Sequence, residues 1–358
     1  MNLLLLGDFD SAEQADWARL LRAALPAHRL FTADDGFARA DIEVAIVAAP
    51  PPGSLQGLPR LRLIQSLWAG VDSLLADPTL PGFEPSAPGE PGVQGVPDAP
   101  DVPIARMVDP AMTAAMVQTA LWATLALHRG FFSYARQQQG GLWQQQLQTR
   151  ADECPVLVLG FGQMGWAVAL GLAQQGYPVS AWRRGGVRSD AGVVDRAGVH
   201  GRLPNGLLVD GLFVHGVPSG VRLLHSPAAL ADAQSRARVV INLLPLTPDT
   251  RGLIDARWLA RLPRGAGLVN LARGAHLVDD DLLAALDAGQ IGHAVLDVFH
   301  TEPLPAGRRY WQHPQVTLLP HAAAMTDARS AAALVARNID ALVAGHPLHN
   351  LVARDAGY

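Results

Sequence analysis

The sequence of 358 residues contains no lysine, because all 28 of its basic residues are arginine. This absence excludes a lysine Schiff base, a lysine general base and a Walker-type phosphate loop, each of which needs that side chain. The one cysteine, Cys154, excludes an internal disulfide framework and fits a reducing compartment. The apolar start is interrupted at Asp8 and predicts a strand rather than a signal peptide, so we expect a cytoplasmic protein.

Charge and hydropathy argue against two further classes of partner. The net charge is −4 and the sequence has no basic block, so nucleic acid is not an expected partner. The stretch 111–127 is the most membrane-like, but Gln118 and three threonines interrupt it, and it is shorter than the roughly 20 apolar residues of a span. We therefore expect a buried helix and no membrane partner. Hydrophobic residues make up 49% of the chain, enough for cores in two domains of ordinary size.

Short apolar runs alternate with helical patterns along nearly the whole chain. This alternation predicts an α/β fold, in which helices cover both faces of parallel sheets. We predict two Rossmann-like or flavodoxin-like parallel-sheet domains with a cleft between them, divided near residues 105–150. The predicted strands lie at 3–6, 44–48, 61–66, 155–160, 178–182, 238–244, 266–271, 293–299 and 315–320, and the predicted helices at 11–25, 110–138, 163–175, 279–288 and 326–344.

Two segments interrupt this alternation. Residues 81–103 are rich in proline and glycine and are acidic, which is typical of an irregular surface loop. Residues 185–219 are rich in glycine and valine. We interpret both as insertions that the fold tolerates. A functional role is the alternative, since loops of this length are uncommon inside compact domains.

A glycine-rich motif lies between the predicted strand at 155–160 and the next helix. Gly160, Gly162 and Gly165 have the G-x-G-x-x-G spacing, and Gln163 and Met164 open the helix. In a dinucleotide site the first glycine permits a tight turn, the second lets backbone approach the pyrophosphate, and the third lets helix pack on strand. The free N–H groups at the start of the helix favour phosphate. The motif, with its flanking strands, predicts a dinucleotide-binding site.

The residue expected to hold the ribose is not the usual acid. A carboxylate normally stands about 20 residues beyond the first glycine, where it accepts hydrogen bonds from the ribose hydroxyls. Here the chain has Arg183 and Arg184. Because a guanidinium matches a phosphate, we predict that Arg183 favours NADPH over NADH. The alternative is that Arg183 merely points to solvent.

Three polar residues suited to 2-keto acid reduction occur close to the ends of predicted strands. Arg273 offers a cation that grips a carboxylate and polarises a keto oxygen. His321 offers a general acid, and Glu302 offers a carboxylate that fixes the tautomer of that histidine. The carboxyl ends of parallel strands are where such folds bind ligands. Each residue alone is a weak indication.

These motifs together resemble the D-isomer-specific 2-hydroxyacid dehydrogenase family, in particular its glyoxylate/hydroxypyruvate reductase A branch. The resemblance extends over nearly the whole chain outside the two insertions. It rests on "SLWAGVDSLL" (66–75), "LGFGQMG" (159–165), "INLLPLTPDTRGLI" (241–254), "LVNLARGAHLVDDDLLAALDAGQI" (268–291), "AVLDVFHTEPLP" (294–305) and "WQHPQVTLLPHAAAMT" (311–326).

The resemblance implies NAD(P)H-dependent reduction of a small 2-keto acid, glyoxylate or hydroxypyruvate, to the D-2-hydroxy acid. It places the family's catalytic residues on Arg273, Glu302 and His321, with His321 as general acid and no metal. The substrate carboxylate is expected at Ala69, Gly70, Val71 and Arg273. The cofactor is expected at Leu244, Pro245, Ala272 and Asp297, in addition to the glycine motif with Gln163 and Met164 and to Arg183.

The resemblance also implies an arrangement of domains and chains. A discontinuous substrate domain would comprise residues 1–108 and 325–358, and a Rossmann domain residues 109–324. The expected assembly is a homodimer built largely through the cofactor domain. One departure concerns Ala48, which stands where the branch often has an aromatic residue facing the substrate. This departure leaves open the reduction of a bulkier 2-keto acid. A second alternative, a non-catalytic dinucleotide-sensing protein on the same fold, stays open because fold does not fix function.

Overall fold

The structure, a computed structural model, describes residues 1–81, 102–183 and 217–354, together with the backbone of two short strands between 200 and 210. The chain forms two compact units. The first is built chiefly from Met1–Ala111 and Thr326–Tyr358, and the second chiefly from Met112–Val194 and Phe213–Met325. Most of the two predicted insertions lies outside the described residues.

The first unit contains a five-stranded, wholly parallel sheet in the order β2-β1-β3-β4-β5, which is the flavodoxin-like order. The C-terminal helix is fixed to this sheet by a buried amide: Asn338 donates to Gln65 and accepts from the N–H of His349. The elements are β1 (Asn2–Gly7), α1 (Ser11–Ala24), β2 (Arg29–Thr32), β3 (Val44–Ala48), β4 (Leu63–Ser66), α2 (Asp72–Leu75), β5 (Ile104–Ala105) and, at the end of the chain, α9 (Ala328–Ala344).

The second unit contains a seven-stranded parallel sheet in the order β10-β7-β6-β11-β12-β13-β14, which is the Rossmann order with one strand added. Its elements are α3 (Pro110–His128), α4 (Phe131–Gln139), β6 (Val156–Leu159), α5 (Gln163–Gln174), β7 (Val179–Trp182), β10 (Val221–Leu224), α6 (Pro227–Gln234), β11 (Val239–Asn242), α7 (Ala256–Leu259), β12 (Ala266–Asn270), α8 (Asp279–Asp287), β13 (Ile291–Leu296) and β14 (Val316–Leu318). The short strands β8 (His200–Arg202) and β9 (Leu208–Asp210) belong to neither parallel sheet and pair antiparallel with each other.

Central strands of the second sheet are buried on both faces. All residues of β6, β11 and β12 are buried, as expected for a parallel sheet covered by helices, where strands are continuous apolar runs. The two polar residues of these three strands are Asn242 and Asn270, and each is the last residue of its strand. The sheet therefore places buried amides at its carboxyl edge.

The predicted fold class is confirmed: the chain is α/β with two parallel-sheet units. The strands β2, β5 and β10 were not predicted, because β5 has only two residues and an arginine in each of β2 and β10 leaves no apolar run longer than two residues. The single helix predicted at 110–138 is wrong. It is two helices, separated at Gly130, whose φ of 70° is left-handed and ends the α-helical path.

Helix α3 is long and apolar enough to cross a membrane, judged by length and composition alone. One face packs inside the second unit, with Val117 against Gly171 and Leu127 against Gly267. The opposite face leaves Trp122 and Leu125 exposed to 42% and 38%. The prediction of a buried helix is thus correct for one face only.

Candidate active site

Neighbouring strands of the second unit bring polar residues to one edge of its sheet. Gly160 follows β6, Leu244 follows β11, Arg273 follows β12, Asp297 follows β13 and His321 follows β14. The strands are parallel, so all five positions lie at the carboxyl edge, where α/β sheets bind ligands.

The glycine loop at this edge has two positions that admit no side chain. Gly160 adopts φ of +96°, and a Cβ there would lie 2.5 Å from the carbonyl oxygen of Leu243. A Cβ on Gly165 would overlap the carbonyl of Gly160, so helix α5 packs directly on the turn. Gln163 and Met164, both half-buried, open that helix.

Gly162 differs from these two glycines, because a Cβ added there would meet no atom within 4 Å. It is exposed and stands at the N-cap of α5, with no side chain capping the helix. The N–H groups of the first turn therefore lie beside open space, and the donors fit an anionic group. The residues present fit the pyrophosphate of a dinucleotide.

Arg183 directly follows β7, where its N–H donates to the carbonyl of Leu224 at 3.4 Å. Arg183 is exposed. The Gly160 N–H donates to the carbonyl of Trp182, so Arg183 stands beside the glycine loop at the edge of the sheet. Arg184 lies outside the described residues.

The loop after β11 is held by side chains beneath it. The N–H of Leu244, which is buried, donates to Asn242 Oδ1 at 3.2 Å. The carbonyl of Pro245 accepts from Thr250 Oγ1 at 2.7 Å and lies 3.2 Å from His276 Nε2. Both ends of this short loop are thus fixed by hydrogen bonds.

Arg273 stands in extended conformation between β12 and a single 3-10 turn, Gly274–His276. Its half-buried side chain donates from Nη1 to the carbonyl of Ala272 at 2.7 Å. Ala272, itself buried, donates its N–H to Asn270 Oδ1 at 3.3 Å. A Cβ on Gly274 would overlap the backbone of Phe299, so this loop lies directly on the segment that carries Glu302.

Glu302 and His321 form a direct pair. Glu302 Oε2 lies 2.7 Å from His321 Nδ1, and its other oxygen, Oε1, accepts the N–H of Phe299 at 2.8 Å. The carboxylate is an acceptor only, so the hydrogen of the ring is assigned to Nδ1. The imidazole is about half exposed, with a side-chain exposure of 52%. Its Nε2 is the atom left to exchange a proton with a ligand.

Asp297 supports the backbone around His321. Its carboxylate accepts the N–H groups of Ala322 and Ala323, at 2.7 Å and 3.1 Å, and its carbonyl accepts the N–H of His321 at 2.9 Å. These bonds hold His321 at φ of +54°, a left-handed conformation that is uncommon for a residue with a Cβ. Burial raises the pKa of Asp297 above its usual range, and the backbone N–H donors partly oppose that rise.

The predicted carboxylate loop, Ala69, Gly70 and Val71, lies in the first unit after β4. Ala69 and Gly70 are half-buried and Val71 is buried. The turn before them is fixed by Ser66, whose Oγ accepts the N–H of Trp68 at 3.0 Å. The loop leads into the short helix α2.

Ala48 is fully buried at the end of β3. The next residue, Ala49, is exposed and adopts φ of +45°. The position singled out for its missing aromatic side chain therefore supplies neither an aromatic wall nor an exposed methyl group.

Known proteins resemble this chain in sequence and in fold. Residues 221–323 match the D-isomer specific 2-hydroxyacid dehydrogenase NAD binding domain. A curated relative, glyoxylate/hydroxypyruvate reductase A of Serratia proteamaculans (strain 568), is 35% identical over 364 residues, which cover 100% of both chains. The chain belongs to the D-isomer specific 2-hydroxyacid dehydrogenase family. The predicted family is thereby confirmed.

Solved structures of the family share the fold. A D-isomer specific 2-hydroxyacid dehydrogenase of Xanthobacter autotrophicus Py2, in complex with NADPH and MES, is 33% identical with a TM-score of 0.80. An NADPH-dependent glyoxylate/hydroxypyruvate reductase of Sinorhizobium meliloti, in complex with NADP and sulfate, is 28% identical with a TM-score of 0.79. Each match covers 100% of this chain and 99% of the other.

Sequence reasoning missed one part of the carboxyl edge of the second sheet, namely the buried side chains of Asn242, Asn270 and His276. Each has 0% exposure. The available signal was an amide at the end of two apolar runs, "VVIN" and "LVN". A buried polar residue needs partners, so its presence at a strand end indicates a network below the loops.

Proposed function

We propose that this protein reduces a small 2-keto acid, glyoxylate or hydroxypyruvate, to the D-2-hydroxy acid, with NADPH as the preferred cofactor. The observation that carries the proposal is the bond of 2.7 Å between His321 Nδ1 and Glu302 Oε2 at the same sheet edge as the glycine loop. The reductase relative, which matches over the full length of the chain, supports the same conclusion.

The chain's own residues have separate tasks in this reaction. Arg273, together with backbone N–H groups at Ala69, Gly70 and Val71, binds the carboxylate of the keto acid. His321 donates a proton from Nε2 to the keto oxygen, and Glu302 holds the ring in the tautomer with hydrogen on Nδ1 and stabilises its charged form. The bound cofactor supplies the hydride.

The cofactor would be held by the glycine loop and by the two loops after β11 and β12. Gly160, Gly162 and Gly165, with Gln163 and Met164, receive the pyrophosphate at the start of α5. Leu244, Pro245, Ala272 and Asp297 line the nicotinamide half. Arg183 faces the 2′-phosphate, which makes NADPH preferred, with NADH as the alternative.

The proposed domains are a substrate domain of 1–108 and 325–358 and a cofactor domain of 109–324. The protein is proposed to be a cytoplasmic homodimer that joins through the cofactor domain. Support comes from large apolar side chains of the second unit that would be exposed to solvent in a monomer. Trp143 and Leu147 are exposed to 98% and 96%, and Phe131 to 52%.

A bulkier 2-keto acid is the second candidate substrate. The observation in its favour is the missing aromatic side chain at position 48: Ala48 is fully buried, so no aromatic wall at this position limits the size of the substrate. The two candidates differ in the size of group beyond the keto carbon, not in chemistry. A non-catalytic dinucleotide sensor would have no need of the His321–Glu302 pair.

A substrate panel tests the proposal. Purified protein is given NADPH or NADH with glyoxylate, hydroxypyruvate, pyruvate and an aromatic 2-keto acid, and loss of the reduced-cofactor absorbance is followed. We expect the highest kcat/KM for NADPH with glyoxylate or hydroxypyruvate. Preference for the aromatic acid would select the second candidate, and binding of NADPH without turnover on any acid would select the sensor.

A further inference from the structure

Three fully buried polar side chains connect two loops at the carboxyl edge of the second sheet. Asn242 Nδ2 lies 2.9 Å from Asn270 Oδ1 and 3.0 Å from His276 Nδ1, and all three residues have 0% exposure. Unpaired polar atoms in such a position would be costly. Among the described residues, the one buried side-chain polar atom without a hydrogen-bond partner is Ser54 Oγ, so this network leaves none of its atoms unpaired.

The network fixes one tautomer of His276. Because Asn242 Nδ2 is a donor, His276 Nδ1 must be the acceptor, and the hydrogen of the ring is assigned to Nε2. Nε2 then donates to the carbonyl oxygen of Pro245, 3.2 Å away. A single neutral ring satisfies both contacts. A doubly protonated ring would set two donors against each other at Asn242.

The three side chains, together with the backbone N–H of His276, hold the backbone of both loops. On the cofactor side, Asn242 Oδ1 accepts the N–H of Leu244 at 3.2 Å, in addition to the bond from His276 to Pro245. On the other side, Asn270 Nδ2 donates to the carbonyl of Arg273 at 3.0 Å, and the N–H of His276 donates to the same oxygen at 3.3 Å. Asn242 and Asn270 are joined directly, so neither loop can shift without breaking a buried bond.

Stability alone does not demand this arrangement. Replacing buried polar partners by apolar groups of similar shape is often nearly neutral. A polar network differs from an apolar core in that its bonds are directional and admit one geometry. What the network adds here is a fixed relation between the Leu244–Pro245 loop and the backbone of Arg273.

We propose that His276 is a positioning residue that couples the cofactor loop to the Arg273 loop through Asn242 and Asn270. The inference rests on the proposed function, in which Pro245 contacts the nicotinamide half of the cofactor and Arg273 the carboxylate of the keto acid. His276 itself contacts neither ligand in this proposal. It fixes the positions of the two loops that contact them.

Three variants at this position separate the two sides of the network. His276→Leu has neither donor nor acceptor. We expect it to weaken the binding of NADPH, and of oxamate, an unreactive 2-keto acid analogue, by about tenfold each. His276→Gln keeps one donor and one acceptor in its terminal amide, and we expect both dissociation constants within about threefold of the parent. The side chain in His276→Asn is shorter, so it keeps the hydrogen bond with Asn242 and loses the one with the carbonyl of Pro245. This variant should bind NADPH more weakly and oxamate as tightly as the parent does.

His293→Leu is the matched control. His293 is also a buried histidine of the second unit, with 7% exposure, but its ring bonds to Thr317 at 2.9 Å and stacks on Phe132, away from both loops. We expect this variant to lower the thermal midpoint and to leave both dissociation constants unchanged. Binding is measured by cofactor fluorescence and by oxamate titration of the NADPH complex, below the midpoint of every variant.

The outcomes divide clearly. Parent-like constants in His276→Leu, or equal weakening in His293→Leu, would overturn the inference and leave His276 a core residue. If His276→Leu does not fold, the expected split between NADPH and oxamate in His276→Asn decides. If the parent binds NADPH but turns over no keto acid, the proposed function fails, and the NADPH constants of the variants still decide the coupling of the cofactor loop.

Discussion

Two histidines at the same sheet edge have opposite surroundings. His276 is fully buried, and both of its ring nitrogens form hydrogen bonds with protein groups, Asn242 and the carbonyl of Pro245. His321 is about half exposed, and its Nδ1 is held by Glu302 at 2.7 Å. The first arrangement fixes a shape, whereas the second leaves one nitrogen for chemistry. Burial and the number of fixed partners therefore distinguish the imidazole that we propose as structural from the one that we propose as reactive, although both stand in motifs of the same family.

The largest expected effect comes from replacing His321, the histidine that we propose as general acid. In His321→Gln the proposed proton donor is lost while the glycine loop is untouched. We predict a fall in kcat of about 10²- to 10⁴-fold, with the NADPH dissociation constant and thermal midpoint near those of the parent. Steady-state rates, cofactor titration and a melting curve check this. A variant with parent-like turnover would remove His321 from the mechanism.

A substitution at Gly274 tests the close contact between the Arg273 loop and the segment that carries Glu302. The added Cβ of Gly274→Ala would overlap the backbone of Phe299, so Arg273 and the Glu302 segment must move apart. We expect a loss of about 1–3 kcal/mol in the free energy of unfolding, together with lower kcat/KM. Urea unfolding and steady-state kinetics measure both. Gly162→Ala is the control for stability alone, because its Cβ meets nothing within 4 Å but Gly162 belongs to the proposed pyrophosphate site.

Cofactor choice is expected to depend on an exposed residue. Arg183→Ser removes the guanidinium after β7 without affecting the core, because that side chain is exposed. We predict that the ratio of kcat/KM for NADPH to that for NADH falls about tenfold. Kinetics with both cofactors check this, and an unchanged ratio would assign the preference to other residues.

The smallest effect concerns His293, a buried histidine with no proposed role in the reaction. Burial lowers its pKa from 6.5 to about 4 in the folded protein. The unfolded chain therefore binds the proton first as pH falls, and this histidine costs stability progressively from about pH 6.5 to about pH 4. His293→Leu should show a smaller decrease in urea midpoint over that range. A decrease identical to that of the parent would contradict the assignment.

What the sequence could predict was local or carried by the family pattern. The glycine loop is readable because its turn and its close contacts involve residues a few positions apart, such as Gly160 and Gly165. Glu302 and His321 were paired from the chemistry that keto acid reduction needs and from the resemblance, and the structure has them in contact. Their roles in catalysis stay predictions.

The buried network was not readable for a physical reason. Asn242 lies 28 residues from Asn270 and 34 from His276, and each alone is an ordinary polar residue beside an apolar run. Only the pairing of β11 with β12 brings the two amides together. The break of the long helix at Gly130 was missed likewise, because a glycine inside a helical pattern is often tolerated.

Label transfer tests the central claim most directly. Hydroxypyruvate is reduced with NADPH that carries deuterium at both C4 positions of the nicotinamide, and the product is examined by mass spectrometry and chiral chromatography. The account predicts D-glycerate with deuterium on C2. An L product, or NADPH binding without label in any 2-hydroxy acid across the panel, would contradict it.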